Sequence, residues 1–317
     1  MSQASRNATS AICGALGLLF LVPTTPVTGA PLPHAPTCPI FPASNQWNRR
    51  VDNLPVASNS RAIVKSIGSQ TGLHPDFGSG HYNGGPIGIP FTTVPGDQKK
   101  VPVHFHYASE SDPGPYPIPK DAPIEGGRKS SGDRHVIVVD KGHCKLYELY
   151  AAHPRNGGTH WRAGSGATWN LRSNKLRPKG WTSADAAGLP ILPGLARYDE
   201  VKAGAIHHAL RFTVSRTRRK YIYPARHFAS DLTSRNLPAM GQRLRLKKSF
   251  DISGFPRQAR IVLKALKQYG MIVADNGSDW YISGAPNKHW DNDKLHSLGR
   301  VLGKNFEVVD TSSLPRP

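Results

Sequence analysis

The stretch Arg134–Ala152, RHVIVVDKGHCKLYELYAA, decides how the rest of the chain is read. Two apolar runs, RHVIVVD and CKLYELYAA, flank the short polar turn KGH, and that order predicts a β-hairpin. On the second strand a period of two puts Cys144, Leu146, Glu148 and Tyr150 on one face, which reads as the inward one. A carboxyl on an apolar face is costly unless paired. Burial would raise its pKa, as a general acid requires, so Glu148 is a candidate catalytic acid. The alternative for Glu148 is a salt bridge to one of the many arginines.

Moving outward, KKVPVHFHYA (99–108) alternates, with Val101, Val103, Phe105 and Tyr107 on one face and His104 and His106 on the other. AIHHALRFTV (205–214) alternates again, with Ile206, His208, Leu210, Phe212 and Val214 together and His207 facing away. RLRLKKSFDI (243–252) reads as a similar strand, and SRAIVKSIG (60–68) as a short helix or strand. Later, PRQARIVLKALKQYG (256–270) predicts a helix: Val262, Leu263, Leu266 and Tyr269 form a stripe between Pro256 and Gly270. MIVAD and WYISG around the turn NGSD predict a second hairpin, over 271–284. WDNDKLHSLGRVLG (290–303) predicts a short helix capped at Asp291 and Asn292, and NFEVVD (305–310) a closing strand.

The composition fits this pattern: 28 prolines, 31 glycines and 38% apolar residues suit many short strands joined by turns, not a helical bundle. The expected fold is mainly β, a β-sandwich or jelly-roll-like body with two short helices near the C-terminus. Residues 1–29 read as a secretory signal: Arg6, the apolar run ATSAICGALGLLFLV, then PTTPVTGA with Val27 and Gly29 as small residues before a cleavage point. Residues 30–45 form a Pro-rich segment and 46–317 a single β-rich domain. With Cys13 in the signal, Cys38 and Cys144 remain as a pair, and an exported chain would join them in a disulfide. No later segment is long and apolar enough to span a membrane.

Forty-one Lys and Arg against 21 Asp and Glu give a formal charge of +20. Such a balance attracts polyanions. Export and the lack of helix-turn-helix or zinc-finger spacing turn the expectation from nucleic acid to polysaccharide, acidic ones included. No phosphate loop, HExxH, GxSxG or paired CxxC occurs, and His104 and His106 lack an identifiable third metal ligand, so neither a cofactor nor a metal is expected.

Candidate chemistry comes from three groups of residues. The carboxylates Asp133, Glu148 and Asp185 could supply the pair that glycosidic hydrolysis needs, with Asp199 and Glu200 as further candidates. His207, Arg226 and His227, near Tyr221 and Tyr223, suit elimination at an acidic sugar. There Arg neutralises the uronate carboxylate, His removes the adjacent proton, and Tyr protonates the leaving oxygen. The stretch His160–Gly194 carries three of six tryptophans and shows no long helical or strand pattern, so it reads as a long loop. Trp161, Trp169 and Trp181, with Asn170 beside them and Tyr223 nearby, would be either sugar-stacking walls or a satellite core under the loop.

At GWTSADAAGLPILPGLARYDEV and YGMIVADNGSDWYISG the chain resembles a group of exported bacterial proteins of unassigned function. The resemblance covers most of the chain beyond the signal and implies a bacterial, secreted setting. Function is therefore expected as a secreted polysaccharide-degrading enzyme, hydrolase or lyase. A non-catalytic carbohydrate- or wall-binding protein is the alternative. A nuclease or phosphodiesterase would use a similar basic groove but lacks an evident metal set.

Overall fold

A computed structural model describes Met1 and residues 30–316 of the 317-residue chain. The secretory signal expected at 1–29 lies outside the described residues. Among the described residues fifteen strands form four sheets, and none closes into a barrel.

The hairpin Val136–Asp140 with Lys145–Tyr150 is present, pairing Val138 with Tyr147 and Ile137 with Glu148. It is the centre of a four-stranded sheet, with Ser165–Asn170 on one flank and Phe91–Val94, parallel, on the other. All five residues of Val136–Asp140 are buried because both faces of this sheet are covered. Ile137, Val139 and Leu146 face the main core; Val136, Val138, Tyr147 and Leu149 face a smaller one with Phe105, Tyr116 and Trp161.

The six-stranded sheet runs in the order His74–Asp76, Tyr281–Ser283, Leu210–Val214, Met271–Asn276, Arg243–Leu246, Phe306–Val308. Two expectations change here. Met271–Asn276 and Tyr281–Ser283 do not pair as a hairpin. Leu210–Val214 inserts between them, parallel to the first and antiparallel to the second. That strand also begins at Leu210, so His207 and His208 precede it and do not alternate on a sheet. Full burial of Leu210, Phe212 and Val214 at the centre of the sheet outweighs the short turn as a pairing signal.

The helix Arg257–Gln268 forms as its stripe predicts, burying Ile261, Val262, Leu263 and Leu266, at roughly 1.5–3 kcal/mol for each such side chain. Gly270 then turns the chain in the left-handed region at φ 68°, with Leu244 O only 2.2 Å from where a Cβ would stand. The late helix Asn292–His296 is capped by Asp291, whose side chain accepts from Lys294 N. Ser60–Ile67, read as a helix or a strand, is a helix, and Tyr198–Ala203 is a further one that was not expected.

Cys38 and Cys144 form the expected disulfide, closing a separation of 106 residues. The Pro-rich segment it anchors is part of the interior: Leu32, Ala35, Ile40 and Phe41 join the main core. His160–Gly194 opens with two strands, His160–Ala163 and Ser165–Asn170, so its first part is not a loop. The alternation HWRA, exposed-buried-exposed-buried, carried that signal in only four residues. No helix among the described residues is long and apolar enough to cross a membrane.

Candidate active site

The segment Trp181–Gly188 shapes a cleft of about 410 Å³ between the ends of the two main sheets. Ser183 organises it: its hydroxyl donates to Leu189 O at 2.6 Å and accepts from Asp185 N at 2.9 Å. Ser165, on the four-stranded sheet, donates to Ser183 O at 2.6 Å. Gly188 closes the turn at φ 68°, where a Cβ would stand 2.5 Å from Trp181 O and 3.1 Å from Arg226 Cβ. Only glycine lets these segments approach so closely.

The floor of the cleft is a charged cluster. Arg211, on the central strand Leu210–Val214, donates to both oxygens of Asp185 at 2.8 and 2.6 Å and to Ser283 Oγ at 2.6 Å. Asp275, at the carboxyl end of the neighbouring parallel strand, stands 3.7 Å from the same guanidinium and remains 22% exposed, whereas Asp185 is 0% exposed. One cation thus serves two carboxylates. Burial and the negative charge of Asp185, with which Asp275 shares a hydrogen bond, outweigh Arg211 and push the Asp275 carboxyl up to about 8. A carboxyl raised in this way favours its protonated form near neutral pH.

Around it stand Asp133, Glu110, Tyr107, Tyr150 and His227. Tyr150 lines the cleft with both carboxylates, and burial, then the charges of Asp133 and Asp275, push its hydroxyl above the ordinary phenol range. His227 Nδ1 donates to Ala186 O at 2.8 Å, turning Nε2 towards Glu110 Oε2 at 3.8 Å. Beneath the cleft, burial alone would lower His135, but Glu125 at 2.6 Å outweighs it and raises the imidazole to about 9. His135 Nε2 donates to Ala184 O at 3.0 Å, so the pair props the cleft wall. Glu125 also lines a second cavity of about 530 Å³ with His74, Asp76, Tyr281 and His296.

Of the residues singled out in the sequence, Asp133, Asp185 and His227 line one cleft. Glu148 does not reach it. It is fully enclosed, accepting from Ile191 N and Leu192 N at 2.9 Å, and burial raises it to about 7. His207 lies apart, edge-on to Tyr269. Asp199 and Glu200 sit with Arg197, at 3.4 and 2.9 Å. Tyr223 lines a separate hollow with Trp47 and Leu189. Trp161 is 2% exposed and belongs to the smaller core.

Trp169, Asn170, Trp181 and Arg226 meet in an adjoining groove of about 690 Å³. Trp169 is buried and Trp181 partly exposed, and Arg177 lies 5.7 and 5.6 Å from their rings. Sequence reasoning missed Asp275, which it placed beside a turn, and also Glu110, Tyr107 and Arg211. The available signal for Asp275 was its position at a strand's carboxyl end, where ligands gather once parallel neighbours are known. Among the described residues no group of three or more His, Cys, Asp and Glu is placed to hold a metal ion. No family model, curated protein or solved structure matches the chain.

Proposed function

We propose that this chain is an exported glycan-cleaving enzyme, a glycoside hydrolase that uses Asp275 as general acid and Asp133 as the second carboxylate. One observation carries the reading: Asp275 stands 3.7 Å from a guanidinium that Asp185 already occupies, in one cleft with the exposed carboxylate Asp133, a setting whose burial and negative charge push the Asp275 carboxyl up. A protonated carboxyl can protonate a glycosidic oxygen as the bond breaks, while an ionised one stabilises the developing oxocarbenium charge or activates water. Asp185 and Arg211 act as positioning residues, setting the Asp275 proton without reaching a ligand. Tyr107 and Tyr150 offer ring faces and hydroxyls for sugars. The two main sheets, sharing one core, suit a sandwich-like scaffold for such a cleft. The disulfide is compatible with an extracellular setting.

The test is incubation with a panel of neutral and acidic glycans, following new reducing ends and the ultraviolet absorbance of unsaturated products. Reducing ends without unsaturation, lost in Asp275→Asn, are the expected result. Unsaturated products would replace hydrolysis by elimination. Silence in both readouts, with retention on a glycan column, would leave a carbohydrate-binding protein. The groove of Trp169 and Trp181 is the observation that favours this second reading.

A further inference from the structure

The cleft and the adjoining groove are two parts of one surface with opposite charge. Trp181 lines the groove and Thr182 the cleft; Arg226 lines the groove and His227 the cleft. The cleft presents Glu110, Asp133, Asp185 and Asp275 and no Lys or Arg, in a chain whose formal charge is +20. The groove presents Lys175, Arg177 and Arg226 against the single carboxylate Asp112. Arg177 is spent internally: it donates to Asp112 Oδ2 at 2.6 Å, Glu110 O at 2.8 Å and Thr182 O at 2.7 Å. Arg226 is held by one bond, from Nε to Arg177 O at 2.8 Å. Its two terminal nitrogens and Lys175 Nζ make no hydrogen bond or ion pair among the described residues.

A sugar carboxylate or sulfate in the cleft would face the carboxylates of Glu110 and Asp133 with no Lys or Arg beside them, whereas in the groove it would meet two uncompensated cations beside the partly exposed ring of Trp181. Coulomb attraction and ring stacking then act on the same sugar. Resting on the hydrolase reading, we infer that the groove is an anion-recognising subsite of the same glycan site. The substrate class is a glycan in which an anionic sugar neighbours an uncharged one. The anionic sugar sits on Trp181, Arg226 and Lys175, and the uncharged sugar carries the scissile bond into the cleft. A homopolyuronate fits poorly, because its next carboxylate would enter the acidic cleft.

The test is titration calorimetry on Asp275→Asn, which prevents turnover, with three probes: a glucuronate–N-acetylglucosamine alternating oligosaccharide, a neutral N-acetylglucosamine oligosaccharide and an oligogalacturonate. The alternating probe should bind best. Adding Lys175→Glu or Arg226→Gln should weaken it roughly tenfold or more, as expected for loss of a charge-assisted contact, and lessen its salt dependence. Binding of the neutral probe should stay unchanged. Lys175 is exposed and makes no side-chain bond, so its variant leaves the fold intact. Equal binding of the alternating probe by the charge variants overturns the subsite. So does tighter binding of oligogalacturonate, binding of a single-stranded oligonucleotide as tight as the alternating probe, or no binding by any probe. Charge-dependent binding with no cleavage by the wild-type protein would overturn the hydrolase reading and leave the subsite standing. Cleavage with charge-independent binding would do the reverse.

Discussion

Two buried ionic clusters in this molecule use nearly the same residue types and come to opposite ends. In one, Glu200 is 0% exposed and lies between Arg197 at 2.9 Å and His208 at 3.1 Å. Burial alone would raise its carboxyl, but these two partners outweigh burial and hold it below the usual carboxylate range. In the other, a single Arg211 serves both Asp185 and Asp275, so one carboxyl keeps its proton. In the first cluster Arg197 and His208 enclose Glu200, with Asp199 at its edge 3.4 Å from Arg197, which makes it a structural element. The second is short of one positive charge and opens into a cleft, which makes it able to exchange a proton. The ratio of cations to carboxylates, more than burial, separates the two.

The largest test of that contrast is to remove the proton that the open cluster holds. Asp275→Asn should lower hydrolysis by about 10²–10⁴-fold, the usual contribution of a general acid. Its folding stability should be close to wild type, because a neutral amide replaces a carboxyl that is already neutral. Steady-state rates together with urea unfolding would check both halves, and a variant of full activity would remove Asp275 from the chemistry.

Opening the closed cluster should have the opposite signature. Glu200→Gln leaves buried Arg197 with only the longer contact to Asp199, at 3.4 Å, and should cost about 3 kcal/mol of stability, the low end for a broken buried pair. Activity per folded molecule should be unchanged. Denaturant titration beside active-site-normalised rates would reveal a discrepancy.

The clusters should also fail at opposite ends of the pH scale. Asp275 at about 8 lies above an unfolded carboxyl near ~3.9. The folded state therefore holds the extra proton, and stability falls as pH rises from about 4 to about 8. Glu148, raised to about 7, works in the same sense. His135, raised to about 9, contributes fully below an ordinary imidazole's ~6.5 and loses its contribution as pH rises through 9. Glu200, held low, contributes above an unfolded carboxyl's pKa and loses its contribution as acid protonates it. Melting temperature measured against pH should decline as pH rises from about 4 to about 8, and Asp275→Asn should flatten that decline. An unchanged slope over that window in the variant would show that the proton is held elsewhere.

The smallest expected effect concerns the hydroxyl that orients Arg211. Ser283→Ala removes its 2.6 Å bond and should cost about 1.5 kcal/mol, as for a hydrogen bond to a charged group. Thermal unfolding would measure it. The optimum pH of hydrolysis should move only slightly, since both Asp185 contacts remain.

How much of this was legible in the sequence depended on distance along the chain. The hairpin Val136–Tyr150 and the helix Arg257–Gln268 were readable, because alternation and a 3.6-residue stripe are local signals. The hairpin expected over 271–284 was not formed, because its local turn competes with a strand from residues 210–214 that no short window contains. Tryptophan density in His160–Gly194 marked a real boundary. It did not say which ring was which: Trp161 fills a core and Trp181 borders a groove. At the site, Asp133, Asp185 and His227 were singled out by residue type alone. Asp275 was passed over because its proton depends on Asp185, 90 positions away, and on Arg211.

By itself the sequence determined the β-rich body, the cysteine pair, the amphipathic late helix and the excess of basic charge. Each follows from composition or from periodicity within a few residues. Only the tertiary structure decided which strands are neighbours, which tryptophan meets solvent and which carboxyl stays protonated. Strand order is set by burial on both faces of a sheet, and a pKa by the charges and solvent within a few ångströms. Both are properties of residues that the chain keeps far apart until it folds.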